Sequence, residues 1–129
     1  MTPNYQIFLV DDDHFLLGMY VLKFQKAGHT VKSFNSGKEI ISALREKPKV
    51  DAVLLDIVMP GMDGFQILEE IRKEKLAEGA KIIVLSNQGQ DSDIERAQKF
   101  NIDGYIIKAS AVPSEVLEKT INIIEQKQK

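Results

Sequence analysis

The sequence predicts an α/β fold, with helices wrapped over both faces of a parallel sheet. Three observations carry that prediction. Short apolar runs alternate with helix-period segments as five strand–helix units along the 129 residues. The run Ile82-Ile83-Val84-Leu85 is apolar without alternation, as a strand buried on both faces requires. Acidic or polar residues then stand where the runs stop, outside the carboxyl ends of the strands, which is where doubly wound sheets place their sites.

The elements follow in order. Tyr5–Val10 is apolar and β-rich and ends in Asp11-Asp12-Asp13. A helix from about His14 to Ala27 carries Leu16, Met19, Tyr20, Phe24 and Ala27 at helical spacing, and Gly28 suits the left-handed position after it. Thr30–Phe34 reads as the second strand. Ser36-Gly37-Lys38-Glu39 is a capping box opening a helix to about Glu46, buried through Ile40, Ile41 and Leu44. Asp51–Leu55 is the third strand, stopping at Asp56. The loop Pro60-Gly61-Met62-Asp63-Gly64 follows, and then a helix from Phe65 to about Leu76 with Ile67, Leu68 and Ile71 inward. Lys81–Leu85 is the fourth strand, ending at Ser86. Asp91 or Ser92 caps a helix to about Phe100, with Ile94 and Ala97 inward. Gly104–Ile107 is the short fifth strand, ending at Lys108. Pro113 suits the first turn of a last helix, which presents Val116, Leu117, Ile121 and Ile124 on one face.

Composition narrows the class. Hydrophobic residues make up 43% and charged residues 28%, as in a globular domain rather than a disordered chain. The length fits one domain over 1–129. With no Cys, disulfides, thiol catalysis and zinc–thiolate sites are excluded. The net charge of −2 argues against non-specific nucleic-acid binding. No apolar run approaches membrane-spanning length, and the N-terminus does not resemble a secretory signal. A cytoplasmic protein is expected.

The strand ends bring Asp11, Asp12, Asp13 and Asp56 together with Ser86 and Lys108. Clustered carboxylates repel unless a cation neutralises them. Oxygen ligands suit Mg²⁺, or Mn²⁺. Lys108 and Ser86 can bind the oxygens of a phosphoryl group, and a carboxylate beside them can attack phosphorus to give an acyl phosphate. This chemistry alone does not choose between an enzyme and a switch.

The pattern resembles the receiver domain of two-component response regulators over about Tyr5 to Ile124. The resemblance rests on Val10-Asp11-Asp12-Asp13, on Leu54 to Gly64 with Met59-Pro60-Gly61-Met62-Asp63-Gly64, on Val84-Leu85-Ser86, and on Gly104-Tyr105-Ile106-Ile107-Lys108. It implies a flavodoxin-like (βα)5 three-layer sandwich with strand order 2-1-3-4-5. Asp56 would accept a phosphoryl group from a sensor histidine kinase or phosphotransfer protein. Asp12, Asp56 and the main-chain carbonyl of Val58 would bind Mg²⁺, with Asp11 acting through water. Ser86 and Lys108 would contact the phosphoryl group. Tyr105 would turn inward as Ser86 moves, and a downstream protein target would read the surface of the fourth helix, fifth strand and fifth helix. Such a domain does no catalysis beyond self-phosphotransfer and its own dephosphorylation, and works as a monomer or a phosphorylation-dependent dimer.

Some residues invite plainer readings. Asp13 reads as a helix cap, His14 and His29 as solvent-facing, Glu69-Glu70 with Arg72-Lys73 as a solvated face, and Met59 and Met62 as loop packing. The family usually has Pro after the last-strand lysine, often through a cis bond; here Ala109 follows Lys108, so a trans bond is the less costly form and a cis bond needs packing to enforce it. Asn87 stands where a small residue is usual and can shield the phosphoryl site or bond to it. Val58 and Gln88 occupy positions that tune phosphoryl lifetime in the family. Val58 cannot guide a hydrolytic water, whereas Gln88 can; a slowly decaying acyl phosphate is expected. An aspartyl phosphatase would want an acid/base at position 58, and a flavin module would want no acidic cluster after the first strand. A degenerate receiver that only binds partners is opposed by the complete Asp12, Asp56, Ser86 and Lys108 set and kept open by Ala109. The last helix runs to near the final residue, which fits a receiver that stands alone or one cut from a larger protein.

Overall fold

The computed structural model describes residues 4–59, 61–86, 91–108 and 112–126. Ten elements alternate along the chain: β1 (Gln6–Val10), α1 (His14–Lys26), β2 (Thr30–Phe34), α2 (Gly37–Arg45), β3 (Ala52–Leu55), α3 (Gly64–Lys73), β4 (Lys81–Ser86), α4 (Asp91–Gln98), β5 (Gly104–Ile107) and α5 (Pro113–Glu125). The strands form one parallel sheet in the order β2-β1-β3-β4-β5, as expected.

Burial follows position in the sheet. The central strands are almost wholly buried, whereas edge strand β2 alternates between exposed and half-buried residues. Successive side chains of a strand point to opposite faces, so each central strand feeds two cores. Ile7, Leu9, Leu54, Ile83 and Leu85 pack against Leu17, Tyr20 and Phe24 of α1 and Val116 of α5. Phe8, Val53, Leu55, Ile82 and Val84 pack against α2, α3 and Ala97 of α4. The result is three layers with both helix sets held on one sheet.

Helix ends follow their capping chemistry. The Ser36 hydroxyl accepts from Glu39 N at 3.3 Å, while Glu39 reaches back one residue further than a capping box requires, to Asn35 N at 2.9 Å. α3 begins one residue earlier than expected because Asp63 caps it. Asp63 Oδ1 accepts from Gln66 N, and Gln66 Oε1 accepts from Asp63 N. Gly28, at φ +96°, takes the left-handed position expected of it.

Among the described residues four left-handed sites lack glycine: Lys47, Lys75, Ala77 and Asn101. Lys47 after α2 and Lys75 after α3 have φ of 57° and 56°. A side chain there costs more than the entropy glycine loses on folding. Lys47→Gly and Lys75→Gly are each expected to stabilise the fold by about 0.5 kcal/mol, read as a raised urea midpoint at unchanged m-value. A lowered midpoint contradicts this.

Four expectations need correction. In α1 the inward residues are Leu17, Tyr20 and Phe24, with Leu16 half-buried and Met19 39% exposed. This helix is apolar nearly all round, so periodicity alone does not orient it. On α5, Val116 and Thr120 are buried, while Leu117, Ile121 and Ile124 are half-buried. His29 is buried, its Nδ1 accepting from Tyr5 N at 3.2 Å and its ring stacked on that of Tyr5. Burial lowers its pKa, so the imidazole is kept neutral. Arg72 and Glu70 do more than face solvent: Arg72 donates to the Phe100 and Asn101 carbonyls, and Glu70 pairs with Arg45.

Candidate functional site

Strand ends assemble the site. Asp11 follows β1, Asp56 follows β3, Ser86 ends β4 and Lys108 follows β5. The pairings Val10↔Leu55, Leu55↔Val84 and Ser86↔Ile107 bring these ends side by side. Asp11, Asp56 and Ser86 are buried. Asp12 is exposed, yet its carboxylate joins those of Asp11 and Asp56 with ligand atoms within 4.8 Å of one another.

Lys108 holds this cluster together. Its Nζ donates to Asp11 Oδ2 at 2.9 Å and to Asp56 Oδ2 at 3.2 Å, with only 5% of its side chain exposed. The second oxygens are also engaged: Asp11 Oδ1 accepts from Asp13 N at 2.9 Å, and Asp56 Oδ1 from Val58 N at 3.2 Å. Asp13 itself caps α1 by accepting from Leu16 N.

The charges perturb one another. Burial pushes the Asp56 carboxyl up to about 6; Lys108 opposes the rise and Asp11 adds to it. Burial works against the Lys108 ammonium, but its bond to Asp11 and the Asp56 charge outweigh that and raise its pKa. Three carboxylates and one ammonium leave an excess of negative charge. All three acidic donors are hard oxygens, which fit a small divalent cation.

Tyr105 on β5 is half-buried, with a side-chain hydrogen bond to Ser86. Val58 is 57% exposed beside Asp56. Asn87, Gln88 and the Lys108–Ala109 bond lie outside the described residues. His14 is exposed, as expected. Met59 is buried, and Met62 packs against Gly37.

Two features near the site were not legible in the sequence. Tyr20 reads there as core alone, but its phenol lies within the electrostatic reach of Lys108, Asp11, Asp13 and Asp56. Gly64 abuts the Asp56 backbone: a Cβ on it would lie 2.5 Å from Asp56 O and 2.6 Å from Ile57 Cα. The Asp-Gly pair flags a turn and says nothing of what stands opposite it.

A parallel doubly wound sheet with acidic, hydroxyl and ammonium groups at its carboxyl edge defines a class of proteins that build a polar site at the strand ends. Within that class the chain belongs to the response regulator receiver domain family, whose model matches residues 7–122. It is 33% identical to PilH of Pseudomonas aeruginosa over 120 residues, covering 92% of this chain and 96% of PilH. It is 29% identical to AfsQ1, a transcriptional regulatory protein of Streptomyces coelicolor, over 92% of this chain but only 50% of AfsQ1. A putative response regulator from Chloroflexus aurantiacus superposes with a TM-score of 0.84 at 27% identity, covering 96% of this chain and all of the other. The CheY-like receiver domain protein of Methanospirillum hungatei superposes at 0.85 with 24% identity over 95% of each chain, a likeness of fold. Among the described residues, no helix is long and apolar enough to cross a membrane.

Proposed function

We propose that this receiver domain takes a phosphoryl group onto Asp56 from a phosphohistidine and changes its surface in response. The observation that carries this reading is Lys108 bridging the buried carboxylates of Asp11 and Asp56, with Asp12 within reach of both. Asp12, Asp56 and the Val58 carbonyl would hold Mg²⁺ or Mn²⁺. Asp11, which accepts from Asp13 N–H and Lys108, would act through water. The bound cation supplies positive charge against the carboxylates and the incoming phosphoryl oxygens.

Ionised Asp56 attacks phosphorus; the new O–P bond forms as the N–P bond breaks, and the imidazole leaves with its electron pair and takes up a proton. The Val58 N–H fixes the rotation of the Asp56 carboxylate, and Lys108 shifts its pairing toward the phosphoryl oxygens. Ser86 and its partner Tyr105 respond to the new group and alter the surface of α4, β5 and α5 for a downstream protein. A kinase or phosphotransfer helix would meet the apolar stripe of Phe15, Met19 and Leu22 on α1, next to the site and flanked by Lys23 and Lys26. The setting is cytoplasmic. No external substrate is turned over, because Val58 offers no acid or base.

Intact mass after incubation with acetyl phosphate, with and without Mg²⁺, tests this reading on the wild type and Asp56→Asn. A hydroxylamine-labile phosphoryl adduct requiring both Mg²⁺ and Asp56 is expected. No adduct from acetyl phosphate, kinases or beryllofluoride would favour a degenerate receiver that only binds partners. The acyl phosphate should also decay slowly, and Val58→Asn should hasten hydrolysis about tenfold, about 1.4 kcal/mol of barrier. Fast decay unchanged by that substitution contradicts this.

A further inference from the structure

α4 has little apolar packing of its own. Its sequence, DSDIERAQ, is mostly polar, and Ala97 is its one fully buried residue among those described. Two arginines hold it to α3. The Arg96 guanidinium lies 4.0 Å from the centroid of the Phe65 ring, in the first turn of α3. Arg72, in the last turn of α3, donates to Phe100 O at 2.7 Å and Asn101 O at 2.9 Å, just past the end of α4.

The first of these contacts adjoins the phosphoryl site. Phe65 is 5% exposed and follows Gly64, whose missing Cβ lets α3 press against the Asp56–Ile57 backbone. Gly64 N also donates to Ile57 O at 2.9 Å. A contiguous series therefore runs from the Asp56 backbone through Gly64 and Phe65 to Arg96 on α4.

We propose that Arg96, seated on Phe65, is a positioning residue that couples α4 to the phosphoryl site through α3, a route separate from the Ser86–Tyr105 contact. The proposal rests on Asp56 being the phosphoacceptor. In the arrangement described here Lys108 pairs with both carboxylates and Arg96 sits on Phe65; the coupling requires that this contact be lost when Lys108 turns to a phosphoryl group. A contact made in one state opposes any ligand that favours the other, and removing it strengthens that ligand by the same factor. For an exposed guanidinium on a ring the factor is about two- to fivefold.

The probe is beryllofluoride with Mg²⁺, titrated calorimetrically into the wild type, Arg96→Met, Arg96→Lys, Tyr105→Phe and the Arg96→Met, Tyr105→Phe double variant. Arg96→Met should bind about two- to fivefold more tightly, and Arg96→Lys, which keeps a cation, should fall closer to the wild type. The Arg96→Met factor should persist in the Tyr105→Phe background, since independent routes add. Unchanged or weaker binding by Arg96→Met, Arg96→Lys behaving like Arg96→Met, or loss of the effect in Tyr105→Phe overturns the proposal. No binding by the wild type overturns the phosphoacceptor reading itself, and this proposal with it.

Discussion

Metal-free Asp56→Asn should be more stable than the wild type by about 2 kcal/mol at pH 7.5 and nearly equal to it at pH 4. The folded chain raises the Asp56 carboxyl from 3.8 to about 6. A group whose folded pKa is raised adds stability below its unfolded pKa and loses it as pH rises through the folded one. The ionised carboxylate therefore weighs against folding above about pH 6, by up to roughly 3 kcal/mol for a shift of this size. Asparagine removes that charge at similar volume, while Lys108 keeps its bond to Asp11. The shift already includes the Lys108 attraction; the asparagine N–H2 set among donors gives back part of the gain, which leaves about 2 kcal/mol. Urea unfolding of both proteins across pH 4–8 reads the difference directly. Added Mg²⁺ should narrow the gap at pH 7.5, because a ligand bound only by the folded wild type stabilises it alone. Equal or lower stability of Asp56→Asn at pH 7.5 would refute this account.

Much of this was legible in the sequence, because the signals were local or repeated. Ile82–Leu85 marked a strand covered on both faces, and Asp11, Asp56, Ser86 and Lys108 were found simply as the residues where apolar runs stop. The parallel ladder then brings those positions together. Errors arose where the deciding partner is distant in sequence. Met19 and Leu16 look as apolar as Leu17, and only the sheet chooses among them. His29 is buried because Tyr5, across the β1–β2 edge, supplies both a ring and an N–H. Arg72 sits in a charged run typical of a solvated face, yet its fork meets two carbonyls beyond α4. The simultaneous pairing of Lys108 with Asp11 and Asp56 likewise depends on how closely three strand ends converge.

Gly64→Ala should have the largest effect of any single-methyl change, about 3 kcal/mol of lost stability. The added carbon would stand 2.5 Å from Asp56 O and 2.6 Å from Ile57 Cα, so it meets backbone that no rotamer can clear. Relief requires one of two movements. If α3 withdraws, the Gly64 N to Ile57 O bond lengthens and the Asp63–Gln66 capping pair is strained. If the Asp56–Val58 segment yields instead, the carboxylate loses its alignment with Lys108 and the Val58 N–H. Either way the site shifts by a fraction of an ångström to an ångström, enough to slow phosphorylation by acetyl phosphate about 100-fold in the folded fraction. Gly18→Ala is the matching control. Nothing lies within 4 Å of the Cβ it would add, and it sits inside α1, where alanine should gain about 1 kcal/mol. Gly64→Ala unfolding within about 0.5 kcal/mol of the wild type, with an unchanged phosphorylation rate, would show that α3 and the Asp56 loop separate freely. The position of Asp56 would then be set by the sheet alone.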